Sequence, residues 1–126
     1  MLKKALLSIL LATSTIATAH INLNFDMTIT QFDNQYHLDA MALVEENVPT
    51  SIIFNEMENL IINCTAQTNG EIVVLEVQFF EKLENNELMA ATDVITLNTS
   101  FNQSVTITAH NDDKNGLALS ITPTVI

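Results

Sequence analysis

From residue 21 onward the chain follows a two-residue period. Ile21, Leu23, Phe25, Met27 and Ile29 take turns with Asn22, Asn24, Asp26 and Thr28, the pattern of a strand with one dry face and one wet face. Asp33-Asn34-Gln35 reads as a turn. Tyr36, Leu38, Ala40, Ala42 and Val44 then resume the alternation until Glu45-Glu46-Asn47-Val48-Pro49 ends it. Ile52-Ile53-Phe54 predicts a short strand just past the proline.

Asn69-Gly70 lies between two strand-like runs, Leu60 to Thr68 and Glu71 to Glu81. Both residues tolerate positive φ, so the dipeptide predicts a type I′ hairpin. Glu84-Asn85-Asn86-Glu87 predicts a further turn leading to a strand around Thr92–Leu97. Val105, Ile107 and Ala109 alternate with threonines, Asn111 to Gly116 reads as a loop, and Leu117, Leu119 and Ile121 form a last strand ending near Pro123. Glu56–Leu60 or Leu83–Met89 could hold a helical turn, but no stretch sustains a helical period. Seven or eight short strands at this spacing predict an all-β fold, an antiparallel β-sandwich of immunoglobulin-like size.

The first 19 residues do not belong to that pattern. Met1-Leu2-Lys3-Lys4 is positive, Ala5 to Ile16 is apolar or small, and Ala17-Thr18-Ala19 places small residues where signal peptidase needs them. That order predicts a secretory signal peptide, residues 1–19. A bilayer span needs about 20 apolar residues, more than this run offers. The expected mature protein is one domain, residues 20–126, periplasmic or secreted, with no later segment able to insert in a membrane.

Charge sharpens the picture. The mature chain would keep two Lys against 15 acidic residues, a net charge of −13. Such a surface repels phosphate backbones and anionic lipids, which argues against nucleic-acid and membrane-surface partners. Cys64 is the one cysteine in the chain. Within Leu60-Ile61-Ile62-Asn63-Cys64 it reads as a buried thiol packing like a small hydrophobe, with an intermolecular disulfide as the alternative.

Enzyme signatures are scarce. With Gly70 and Gly116 as the two glycines, neither a P-loop nor a dinucleotide fingerprint can be written. No serine sits in a nucleophile elbow, and no cysteine pair suggests zinc or redox work. Glu45 and Glu46 are adjacent and would point to opposite faces, as in a solvated turn. The residues favour a non-enzymatic binding or interaction module of the bacterial envelope, with no cofactor expected.

Two metal alternatives have named ligands. Asn111, Asp113 and Asn115 followed by Gly116 reproduce positions 1, 3, 5 and 6 of an EF-hand-type calcium loop, although position 12 holds Thr122 in place of a bidentate carboxylate. That reading would make the protein a calcium-tightened adhesion or assembly subunit. Cleavage after Ala19 would make His20 the first residue, its α-amine beside its imidazole. A further imidazole from His110 or His37 would complete a three-nitrogen site suited to Cu(II). On His20 the chain resembles histidine-brace proteins, periplasmic copper chaperones and copper-dependent polysaccharide monooxygenases. That resemblance implies copper binding on a β-sandwich.

A second resemblance lies in the C-terminal third. Glu87 to Leu97, Ser104-Val105-Thr106-Ile107, and Leu117 to Val125 with Thr122-Pro123-Thr124 resemble the β segments of bacterial secretins. Thr92 stands where that family's pattern has proline, and the chain is far shorter than a channel. The resemblance therefore implies a stand-alone periplasmic domain of related topology. Finally, Ile21 to Ile29 at the mature N-terminus resembles the donated strand of fimbrial subunits. Strand-mediated self-assembly is thus an alternative to pairing within its own sheet.

Overall fold

The computed structural model describes residues 20–112 and 114–126, with Asn111 and Asp112 described by their backbone alone; the expected leader lies outside them. Nine strands are described: β1 His20–Gln31, β2 Asn34–Glu45, β3 Thr50–Phe54, β4 Met57–Asn69, β5 Ile72–Lys82, β6 Leu88–Ala90, β7 Ile95–Ser100, β8 Val105–Asp112 and β9 Asn115–Thr124. All pair antiparallel in two sheets. Sheet A has the order β2-β1-β9-β8; sheet B runs β3-β4-β5, and both β6 and β7 pair with the far edge of β5. The expected β-sandwich is present, but its strands are not uniformly short: β1, β2, β4 and β5 run 11 to 13 residues.

Parity decides the first hairpin. The inward side chains of β1 are odd-numbered and those of β2 even-numbered. Dry faces can match only if partner numbers sum to an odd value, because a one-residue slip turns every side chain over. The observed register, Gln31↔Asn34 through Phe25↔Ala40 to His20↔Glu45, meets that condition. It moves the turn from the expected Asp33–Gln35 to Phe32-Asp33, which adopt φ of 50° and 70°. Two positive φ values make a type I′ turn, an uncommon place for a bulky residue. Register across twelve paired positions outweighs the local preference of Phe32.

The second hairpin also differs from expectation. Asn69 pairs with Ile72 as part of the ladder, so the turn residues are Gly70 and Glu71. Of the two, Gly70 has positive φ, 66°, the pattern of a type II′ turn with glycine first. Neither expected helical turn forms: Met57 already starts β4 and Leu88 starts β6. The strand expected at Thr92 begins at Ile95. Ala91 and Thr92 instead bridge β6 and β7: Ala91 N donates to Phe79 O at 2.8 Å, and Phe79 N donates to Thr92 Oγ1 at 3.2 Å. These bonds occupy the stretch of β5 that neither short strand covers.

The core lies between the sheets. Ile21, Leu23, Phe25 and Met27 from β1, with Leu119 and Ile121 from β9, face Ile62, Cys64 and Ala66 from β4 and Val73, Leu75 and Val77 from β5. At about 25 cal/mol per Å² of apolar surface, each large side chain contributes roughly 1.5–3 kcal/mol on burial. Cys64 is fully buried, and burial pushes its thiol up to about 12. Pro123 is also buried, paired with Leu23 beyond the last β8–β9 rung at Ile121↔Val105. Its carbonyl accepts from Asn102 N at 2.7 Å on that side, so its missing N–H interrupts no ladder.

Candidate functional site

The two sheets close tightly at the end holding Ile21, Val44 and Pro123, all nearly or fully buried. At the opposite end they do not, and the inner-face positions of sheet B explain why. Along β4 the even-numbered residues point inward, from Ala66 through Cys64 and Ile62 to half-buried Leu60. The series breaks there: β3 pairs Ile53 with Ile61 and then Phe54 with Met57, so residues 58–60 bulge, and Met57 packs on the core while Glu58 is exposed. Along β5 the odd-numbered residues point inward, from Val73 to Phe79, and the next is Glu81. Leu60 and Glu81 are ladder partners. Burying a carboxylate without a partner is costly, so Glu81 stays exposed, as does Glu58 on the bulge, and the sandwich stays open there.

The result is a mouth of about 1120 Å³. Glu56, Glu58 and Glu81 stand on its sheet B side; Ala109, His110 and Leu117 line it from sheet A, with Met57 and Leu60 among its apolar walls. A second groove of about 640 Å³ adjoins it around the shared Glu56-Met57 corner, between Ile29, Tyr36 and Leu38. Leu38, Met57, Leu60 and Leu117 are half-buried side chains packed on the edge of the core. The site therefore combines half-buried aliphatic groups with carboxylates, and among the described residues lysine lines neither groove.

The residues expected to bind copper lie on sheet A, His20 and His37 on its outer face and His110 at the rim of the mouth, and do not converge. His20 pairs with Glu45, its Nε2 3.7 Å from the carboxylate. His37 is the ladder partner of Thr28, whose hydroxyl lies 3.1 Å from His37 Nδ1. Eight positions along β1 thus separate His20 from His37, roughly 27 Å at about 3.4 Å per residue. His110 is opposite Gly116 on β9, three strands from His37, or roughly 14 Å. A chelate with metal–nitrogen bonds of about 2 Å cannot span these positions. Among the described residues, no group of three His, Cys, Asp or Glu side chains is placed to hold a metal.

The calcium reading requires a correction to its loop. β8 continues through Asn111 to Asp112 and β9 restarts at Asn115, which pairs with Asp112. Asn115 to Thr122, positions 5 to 12 of the supposed EF-hand loop, run straight along β9, where Thr122 pairs with Asn24. A strand cannot wrap a cation as that loop does. Asp113 lies outside the described residues. Gly116 has a different role: the ring of His110 lies over it, and a Cβ there would come within 2.8 Å of His110 Nδ1.

Glu46 lies in the expected turn, and there it has a fixed partner. It accepts from Thr68 N at 2.9 Å and from Thr68 Oγ1 at 2.8 Å, bonds that hold its carboxyl below the usual range. The N-terminal strand β1 is bonded on both sides, to β2 and β9; it lies inside its own sheet rather than at an edge.

Scans of protein-family models, of curated proteins and of solved structures find no match. Of the residues around the mouth, the sequence singled out His110 and Asn115, as metal ligands, but not Glu56, Glu58 or Glu81. Glu81 carries one signal, parity: it occupies the position that continues the dry face of β5.

Proposed function

We propose that this protein is an exported, non-enzymatic binding module whose ligand occupies the mouth between its sheets. The observation that carries this reading is the pair of carboxylates, Glu58 and Glu81, that line a groove of about 1120 Å³ together with the apolar Ala109 and Leu117. Aliphatic groups left half-exposed beside solvated carboxylates favour a ligand presenting an apolar group flanked by positive charge. The chain's formal net charge of −11 would speed the approach of such a ligand. The lysine-led apolar N-terminus ending in Ala17-Thr18-Ala19 supports export, and with it an envelope or extracellular partner.

The test is an amide NMR titration of the mature protein with a short capped peptide carrying leucine between two lysines. Saturable shifts at Leu60, Ala109 and Leu117, weakened by salt, are expected. A peptide with glutamates in place of lysines should leave those amides unmoved. Equal responses to both peptides would remove the charge argument, and no response to either would remove the mouth as the binding site.

A further inference from the structure

The sandwich has four exposed strand edges, and three carry devices that discourage pairing with another chain. β3 has five residues, begins just after Pro49 and is bulged at Ile53/Phe54. The far edge of β5 is covered by β6 and β7, a strand interrupted by the Ala91-Thr92 bridge. β8 carries threonines and His110 on its outer face and ends at the bulge beside Gly116. Short length, interruption and bulging are the usual protections of a sheet edge.

β2 has none of them. It is twelve residues long, holds register with β1 from end to end without a bulge, and contains no lysine, proline or glycine. On its outward side Met41 and Leu43 are 70% and 60% exposed, between Asp39 and Glu45. An edge of this kind offers a free row of backbone N–H and C=O groups and a side-chain pattern beside them.

We infer that β2 is a strand-addition site for a partner segment in which two basic residues flank two apolar ones at alternate positions. The pattern follows from the outward series acid, apolar, apolar, acid at Asp39, Met41, Leu43 and Glu45. Cross-strand neighbours of opposite charge, and apolar neighbours, stabilise a pair, whereas like charges destabilise it. A second copy of this chain is disfavoured by the same rule in the register that matches its apolar pair. In a two-fold antiparallel pairing, the register that sets Met41 against Leu43 also sets Asp39 against Glu45, twice. Two chains of net charge −11 would in addition repel. The required pattern reads the same in both directions, so a parallel or an antiparallel strand satisfies it. This inference does not depend on the mouth.

The probe is a capped heptapeptide, lysine–threonine–valine–threonine–valine–threonine–lysine, added to the mature protein while amide hydrogen exchange is followed by NMR. We expect slowed exchange within Asp39–Glu45 and unchanged mouth amides. Binding should weaken about tenfold when the lysines become glutamates, and it should be lost when alternate peptide nitrogens are methylated. Met41→Lys and Leu43→Lys, both at exposed positions, should abolish the protection without altering the circular-dichroism spectrum or melting temperature. Unprotected β2 amides at millimolar peptide would overturn the inference. So would equal binding of the glutamate or methylated peptides, or a concentration-dependent dimer that protects β2 without peptide.

Discussion

Thr68 donates both its backbone N–H and its hydroxyl to one carboxylate oxygen of Glu46, at 2.9 and 2.8 Å. This pair, with Asn47 N donating to Ala66 O at 2.8 Å, fastens the crossing from sheet A to sheet B onto β4. The positive φ of Asn47, 68°, lets the chain turn there. A turn residue, as the sequence has it, is therefore also a tie from the crossing to β4.

The tie is pH-dependent. Thr68 holds the Glu46 carboxyl below its ordinary value of 4.5, so the folded state favours the ionised form. Its contribution is fully present above the unfolded value and is lost as pH falls below about 4.5 through the lower folded value. Melting temperatures measured from pH 7 to pH 3 should decline less steeply in Glu46→Gln than in the parent. Glu46→Ala should cost about 1 kcal/mol at pH 7 by removing the acceptor. Parallel pH curves for parent and Glu46→Gln would assign the effect elsewhere.

The mouth should be a place where stability is given up. Replacing Glu58 and Glu81 together by leucine would continue the dry face of β5, make the adjoining bulge of β4 apolar and let the sheets close. The double variant should unfold at higher denaturant concentration, with a gain of at most about 1–3 kcal/mol, the scale for burying such side chains. It should also lose the lysine–leucine peptide response. An unchanged or lower midpoint would show that the carboxylates do not hold the mouth open.

Gly70 and Asn69 separate the two turn assignments. In the observed hairpin Gly70→Ala places a Cβ on a residue at φ 66°, where no neighbouring atom lies within 4 Å. The cost is then purely conformational, about 1 kcal/mol. Asn69→Ala should cost well under that, since Asn69 is a ladder residue. If Asn69→Ala proves the more harmful in chemical denaturation, the turn is not centred on Gly70-Glu71.

Cys64 has no exposed surface and a thiol pushed up to about 12. Because the thiolate is the reactive form, a thiol-specific reagent at pH 8 should label the native protein only as fast as it unfolds, and should label it quickly in denaturant. Rapid native labelling, or a disulfide-linked dimer on a non-reducing gel, would contradict this burial.

Core and edge substitutions should differ in kind. Phe25→Ala removes a large buried side chain at the centre of sheet A and should cost about 3–5 kcal/mol. Leu43→Ala, on the exposed side of β2, should fall within about 0.5 kcal/mol of the parent. Urea melts of the two variants provide the comparison.

Much of the fold was legible because alternation is a local property. The runs Ile21–Ile29, Tyr36–Val44 and Val105–Ala109 announce strands wherever they are placed, and the apolar setting of Cys64 announces its burial. The candidate site was less legible. Glu58 and Glu81 are 23 positions apart in the chain and become neighbours in function only when β4 pairs with β5 in the register Leu60↔Glu81. The histidines misled for the same reason: His20 and His37 share a face but lie at opposite ends of the sheet.

Sequence by itself determined that this chain forms sheets with one dry side, because side-chain direction in a strand follows from residue number alone. Only tertiary structure decided which strand became an edge, where the turns fell and where the layers failed to meet. Those outcomes depend on pairing between distant segments, and the register that matches one dry face to another can override the local preference of a residue such as Phe32.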